Sequence, residues 1–256
     1  MTQPIDQLVS ILLPLHNAEQ TLKECLDSLL SQTYTPIEII AIDDNSKDKT
    51  YTLLRQYRRR DKRLIISRNV KRYGLTVTLN RALKKANGSY LAFMNQKDTS
   101  TTDRLKRQVF YLKRHPKVVA VGTQTIFTHP LTQKIDKSTF PTDHHTISKT
   151  FLTSDALQLE SIMINRYLLP SDLLKFESRK YPILYRTLLT KMLPYGTFAN
   201  LNQYLYLRAR EEQVAGIRKN VLPHLTLWLR ARFIYGSGIS LNSLLYPVNN
   251  RLKSTF

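Results

Sequence analysis

Apolar positions in the first half of the chain follow two periods in turn. Continuous apolar runs mark strands buried on both faces, and stripes at helical spacing mark the helices that cover them. Leu8 to Leu13 is the first run, stopped by Pro14. Asn17 is then placed to cap a helix, with Gln20 three residues on. Leu22, Cys25, Leu26 and Leu29 form the stripe of that helix. Ile37 to Ile42 is a second run and leads into Asp43-Asp44-Asn45-Ser46. Ser46 is placed to cap a helix striped by Thr50, Leu53, Leu54 and Tyr57. Leu64 to Ser67 is a short third run. Leu75, Leu79, Ala82, Leu83 and Ala86 predict another helix, closed by Gly88 as its C-terminal cap. Tyr90 to Met94 is the next strand. A helix follows from about Thr102 with Leu105, Val109 and Leu112 on one face, then a strand over Val118 to Val121. Strand–helix repetition of this kind predicts an α/β fold, a Rossmann-like, mainly parallel sheet flanked by helices with right-handed crossovers.

From Thr123 the rhythm breaks. Residues 125–147 read as loop and carry His129, His144 and His145. Ile162 to Ile164 reads as a short strand, Tyr181 to Leu193 as a helix and Leu201 to Leu207 as a strand. Leu222, Leu225, Leu229 and Phe233 then form a stripe with Trp228, Arg230 and Arg232 around it. Tyr235, Tyr246, Arg251 and Lys253 continue its basic-aromatic character. Such a stripe suits an interfacial helix on anionic lipid and equally an amphipathic helix packed on the domain; both readings stay open. The expected organisation is a domain over residues 1–215, halved at 122, and a basic amphipathic tail over residues 216–256.

Charge changes the picture. Lys and Arg number 39 against 19 Asp and Glu, a formal net charge of +20. That favours polyanionic partners: phosphorylated substrates, anionic membrane or nucleic acid. No DNA- or RNA-binding motif accompanies the charge, which argues against nucleic acid. The single cysteine, Cys25, lies on an apolar helix face and excludes an intrachain disulfide or a cysteine-rich metal cluster. The histidines lack zinc-ligand spacing. The start of the chain lacks the basic region of a signal peptide. No run approaches the ~20 apolar residues of a membrane span. A cytoplasmic protein is expected, with the tail offering a peripheral seat on the inner face of the membrane.

Three strand ends carry polar clusters: Pro14-Leu15-His16-Asn17, Asp43-Asp44-Asn45-Ser46 and Asn95-Gln96-Lys97-Asp98. In a parallel sheet they share one edge, where ligands collect. The segment LVSILLPLHNAEQTLKECLDSLLSQTYTPIEIIAIDDNSKDKT resembles the opening of family 2 glycosyltransferases, which have the GT-A nucleotide-sugar fold. The resemblance continues through YGLTVTLNRALKKANGSYLAF and TDRLKRQVFYLKRHPKVVAVG, and more weakly to Gln213. It implies a nucleotide diphosphate sugar as donor, commonly a UDP or dTDP sugar, and inverting transfer to a cell-surface glycan or lipid. It implies nucleotide-sugar-binding roles for Pro14, His16 and Asn17, for Asp43 and Asp44, for Gly74 and Asn80, and for Asn95 and Lys97.

Two departures qualify it. The acidic positions of the family's metal-binding D-x-D fall on Asn95 and Lys97. The Mg or Mn ion usual in the family therefore lacks its ligands, and no metal cofactor is expected. The family's Glu-Asp base pair, counted back from Tyr195-Gly196, falls on Leu184 and Tyr185, with Glu177 reachable only by a shift. No catalytic residue is assigned. Two functions follow from these residues. One is a metal-independent transferase in which Lys97, with Arg68, Lys71 or Arg72, neutralises the diphosphate. The other is a catalytically inactive member acting as a nucleotide-binding or membrane-surface module.

Overall fold

A computed structural model describes residues 5–129, 132–150, 156–177 and 183–209, together with Leu229. The tail stripe of residues 222–253 lies outside them, Leu229 excepted. Strand β1 (Ile5–Leu15) is flanked by β2 (Ile37–Asp43) and β4 (Gly88–Phe93), and β3 (Leu64–Arg68) lies beyond β2, all parallel. Beyond β4 the sheet is mixed. β8 (Met163–Asn165) runs antiparallel between β4 and β6 (Val118–Thr128). β9 (Thr197–Ala209) runs parallel to β6, and the short β5 (Thr99–Ser100) runs antiparallel to β9. The sheet order is β3-β2-β1-β4-β8-β6-β9-β5, with β7 (Ile135–Lys137) paired to β6.

The central runs read as doubly buried strands are so, while β3, at the edge of the sheet, buries only Leu64. Every residue of β2 and of β4 is buried. Alternate β1 residues divide the core: Val9, Ile11 and Leu13 meet α1 (Leu22–Leu30), α2 (Thr50–Arg60) and α4 (Arg104–Arg114) on one face. Leu12 faces the opposite side, with Leu79 and Ala82 of α3 (Leu75–Lys85) and with Leu188 of α6 (Ile183–Met192). The segment expected to be loop contains the end of β6, β7 and the start of α5 (His144–Thr150). Among the described residues no helix is long and apolar enough to cross a membrane.

Three details differ from the sequence reading. Pro14 does not stop β1; it pairs with Ile42, and the strand runs on to Leu15. Asn17 and Ser46 are not helix caps. Helix α1 starts after Thr21 and α2 after Lys49, and neither makes a side-chain cap bond. Asn17 and Ser46 instead join the two loops to each other. Gly88 opens β4 rather than closing α3. A Cβ there would lie 2.5 Å from the Leu8 carbonyl oxygen, so the strands could not approach with any side chain.

Candidate active site

At the carboxyl end of β1, the Asn17 N–H donates to Ser46 Oγ at 2.9 Å, and Asn17 Oδ1 accepts the Lys47 N–H at 2.9 Å. Glu19 accepts the Lys49 N–H, while Asp48 accepts the Glu19 N–H. These bonds lace the loop after β1 to the loop after β2. Asn17 and Asn45 sit at positive φ, a conformation asparagine tolerates better than most residues. His16 Nδ1 can only donate to the Asp44 carbonyl, 3.0 Å away, so the neutral ring keeps Nε2 as an acceptor.

Asp43 and Asp44 take different roles. Asp43, fully buried, accepts from the Ser46 N–H and hydroxyl. Arg68 Nε lies 3.0 Å from Asp43 Oδ2 as an ion pair, without hydrogen-bond alignment. Asp44 is a hub. Its Oδ1 accepts Asn69 Nδ2–H at 2.7 Å and the Tyr73 N–H at 2.9 Å, and its Oδ2 accepts the Gly74 N–H at 2.7 Å. Burial pushes the Asp44 carboxyl up, but the Tyr73 N–H, the Asn69 amide and the Gly74 N–H outweigh it and hold the group below its ordinary value. Gly74 has a φ of +87°, and its backbone closes the loop onto Asp44. The loop is rimmed by cations: Arg81 lies over the Tyr73 ring at 4.4 Å, Lys71 at 5.4 Å, and Arg68 over Tyr51 at 5.1 Å. Asn80 turns elsewhere. Its amide donates to the Phe176 carbonyl at 2.8 Å and accepts the Phe176 N–H at 2.9 Å.

The residues after β4 form a tight turn. Asn95 Oδ1 accepts the Lys97 N–H at 3.0 Å, and the Asn95 carbonyl accepts the Asp98 N–H at 3.1 Å. Gln96 lies against the loop after β1, its amide taking the His16 N–H at 2.7 Å and giving to the His16 carbonyl at 3.0 Å. Lys97 is exposed at the apex. Asp98 points inward and is 2% exposed, accepting the Tyr206 hydroxyl at 2.7 Å. Burial raises its carboxyl to about 7, with Arg208 opposing and Glu160 adding to the rise.

A divalent ion does not suit this turn. The Asn95 side-chain oxygen is engaged by the Lys97 backbone, Lys97 adds a cation, and Asp98 is sequestered by Tyr206. Among the described residues, no group of three or more His, Cys, Asp and Glu is placed to hold a metal. His144 Nδ1 accepts the Phe198 N–H at 3.1 Å, and burial lowers its pKa. The positions onto which the resemblance counts the family's base are core. Leu184 and Tyr185 are 0% and 4% exposed. Tyr185 packs edge-to-face on Phe93 and Phe176, with ring centroids 5.4 and 5.6 Å apart. Glu177 is on the surface, paired with Lys191 at 2.6 Å.

The edge of β3-β2-β1-β4 thus gathers Pro14, His16, Asn17, Asp43, Asp44, Gly74, Asn95 and Lys97. Residues 10–167, more than half of the chain, match the family model described as Glycosyl transferase family 2. The chain belongs to glycosyltransferase family 2. Among curated members, the UDP-Glc:alpha-D-GlcNAc-diphosphoundecaprenol beta-1,3-glucosyltransferase WfaP of Escherichia coli is 36% identical over 107 residues, 42% of each protein. The poly(ribitol-phosphate) beta-glucosyltransferase of Bacillus spizizenii is 33% identical over 117 residues, 44% of this chain and 18% of that protein. The matches span less than half the length of these relatives.

Solved structures share the GT-A architecture. Residues 1–349 of S. aureus TarS superpose with a TM-score of 0.66 at 18% identity, covering 97% of this chain and 83% of that one. Its complex with UDP-GlcNAc gives 0.66 at 17% identity, covering 98% and 82%. The mannosyltransferase PcManGT of Pyrobaculum calidifontis, with GDP-Man and Mn2+, gives 0.64 at 16%, covering 100% and 76%. At these identities the likeness is one of fold.

Sequence reasoning placed Gln96 on this edge without its His16 partner, and missed Tyr206, Glu160 and Arg208. Tyr206 meets the turn only because β9 pairs with β5, Ser100 opposite Tyr206. The one local signal was Asp98, an acid between an apolar strand and a helix with no charged neighbour but Lys97.

Proposed function

We propose that this family 2 member transfers a sugar, with inversion, from a nucleotide diphosphate sugar to a cell-surface glycan or lipid, without a divalent ion at the Asn95–Asp98 turn. The observation that carries this reading is the turn itself. It stands where the resemblance puts a metal-and-diphosphate loop but carries an exposed lysine, Lys97, in place of anionic ligands. In the reaction an acceptor hydroxyl oxygen bonds to the sugar's anomeric carbon. The bond from that carbon to the diphosphate oxygen breaks, and the electron pair leaves with the nucleoside diphosphate. Charge grows on the leaving group, where Lys97 and the cations around residues 68–72 stabilise it. His16 Nε2 and the loop that Asp44 closes supply the nucleoside end. WfaP, by its name a UDP-Glc enzyme with a lipid diphosphate acceptor, supports this substrate class.

The acceptor's proton needs a base that Leu184 and Tyr185 cannot provide. That observation favours a second reading, a member that binds nucleotide without turnover. The organisation proposed remains a domain over residues 1–215 and a tail over 216–256 that holds the protein to an anionic membrane face.

Release of nucleoside diphosphate from a panel of sugar nucleotides, with and without EDTA, separates the two readings. Turnover that survives EDTA and is lost in Lys97→Ala supports the transferase. Binding without turnover on glycan and lipid-linked acceptors supports the second reading. Turnover abolished by EDTA overturns the metal-free mechanism. Removal of the residues after Asn220 should release the protein from anionic vesicles, and unchanged binding would remove the tail's role.

A further inference from the structure

We propose that Tyr206 is a positioning residue that sets the Asn95–Asp98 turn and, through it, the Lys97 ammonium that meets the donor's diphosphate. The proposal rests on the reading of Lys97 given above. Tyr206 is fully buried on β9, far from the turn in sequence. Its phenolic oxygen makes both contacts that a hydroxyl can make there. It donates to Asp98 Oδ2 at 2.7 Å and accepts the Asn95 N–H at 3.3 Å. One oxygen thus joins the first and last residues of the turn whose apex is Lys97. The other contacts fix the remaining sides. Asn95 Oδ1 holds the Lys97 N–H, and Gln96 holds both backbone groups of His16.

The ring is fixed in its turn. Arg104, also fully buried, lies 5.4 Å from the ring centroid of Tyr206 and donates to the Phe93 carbonyl at 3.4 Å. Pairing of Ser100 with Tyr206 holds β9 against the strand that leaves the turn. A tyrosine that only filled the core would need none of this. Phenylalanine has the same ring and would leave the Asp98 carboxylate and the Asn95 N–H without the bridge. With the bridge gone, the turn keeps its own Asn95 bonds and the Gln96 clamp on His16 but loses the tie of both its ends to β9. A lysine on a four-carbon stem gives useful electrostatics only if its backbone is placed.

The test is a double-mutant cycle read by calorimetric titration with UDP, GDP and dTDP, using whichever binds the wild-type protein most tightly, and with the matching nucleoside. Lys97→Ala should weaken nucleoside diphosphate binding about tenfold, as loss of one charge-assisted contact does. Tyr206→Phe should weaken it about fivefold, the scale of one hydrogen bond, and leave the nucleoside's affinity unchanged. The double variant should bind within about twofold of Lys97→Ala alone, because Tyr206 acts through Lys97.

Independent losses, about fiftyfold weaker in the double variant, overturn the proposal. So does a Tyr206→Phe loss that is equal for nucleoside and diphosphate, which marks a merely structural role. Should Lys97→Ala bind as tightly as wild type, the reading of Lys97 fails first, and this inference falls with it. Asp98→Asn, which keeps the volume and removes the anionic acceptor, serves the same cycle if Tyr206→Phe does not fold, with the same outcomes.

Discussion

Asp44 and Asp98 lie just beyond the carboxyl ends of β2 and β4, both buried, and their carboxyls move in opposite directions. Burial acts on both. At Asp44 two backbone N–H groups and an amide repay it, and the charge is kept. At Asp98 burial dominates, Glu160 adds negative charge nearby, and Arg208, the Tyr206 phenol and the Ala209 backbone do not offset them, so the carboxyl rises to about 7. The β2 side of the edge therefore uses its acid to close a loop around a fixed anion. The turn after β4 has its acid in the core and a lysine at its exposed apex. On the function proposed above, the exchange of signs lets this edge hold the donor's diphosphate directly.

The largest expected effect tests the first half of that contrast. Asp44→Ala strands the Tyr73 and Gly74 N–H groups and the Asn69 amide, and should cost about 3 kcal/mol or more in urea unfolding, with nucleotide binding lost. A change within about 0.5 kcal/mol would show that the loop closes without its hub. Next comes the second half. A carboxyl raised from 3.8 to about 7 on folding makes the folded state bind more protons than the unfolded chain between those values. Stability should therefore fall as pH rises from about 4 to about 7, and Asp98→Asn should flatten that fall. A profile that Asp98→Asn leaves unchanged removes the contrast between the two acids.

Exchanging the signs back is a third test. Asn95→Asp with Lys97→Asp should make nucleoside diphosphate binding depend on Mg or Mn, where binding by the parent protein is expected to be indifferent to EDTA. Titration calorimetry with and without metal reads it, and no gain of metal dependence would mean that the turn cannot open its oxygens to an ion. The smallest effect concerns Glu177. Its ion pair with Lys191 is partly exposed, so Glu177→Gln should shift stability by less than about 1 kcal/mol. A fall in turnover of about a hundredfold or more would identify it as the base.

The strands and helix stripes up to Val121 were legible because each is decided by residues close in sequence. The caps were not. Asn17 and Ser46 have the chemistry of helix caps, but each found a partner on the neighbouring loop, Asn17 on Ser46 and Lys47, Ser46 on Asn17, with Asp43 of its own loop holding Ser46 as well. Gly88 was read as a local stop, and its reason is the Leu8 carbonyl across the sheet. At the site, the polar strand ends were visible in the chain, but what each side chain holds was not. Asn80 clamps Phe176, Gln96 clamps His16, and Tyr206 reaches Asp98. All three are pairings across 80 residues or more. Leu184 and Tyr185 show the same limit: sequence placed them where a base is expected, and packing against Phe93 made them core.

The lacing of the loops after β1 and β2 has a consequence for how a ligand would arrive. Asn17, Glu19, Ser46 and Asp48 already hold one another's backbone groups. Their freedom is lost when the chain folds, so little remains to be lost on docking. The nucleoside should enter a surface that keeps its shape, with association limited by diffusion and charge steering rather than by loop closure.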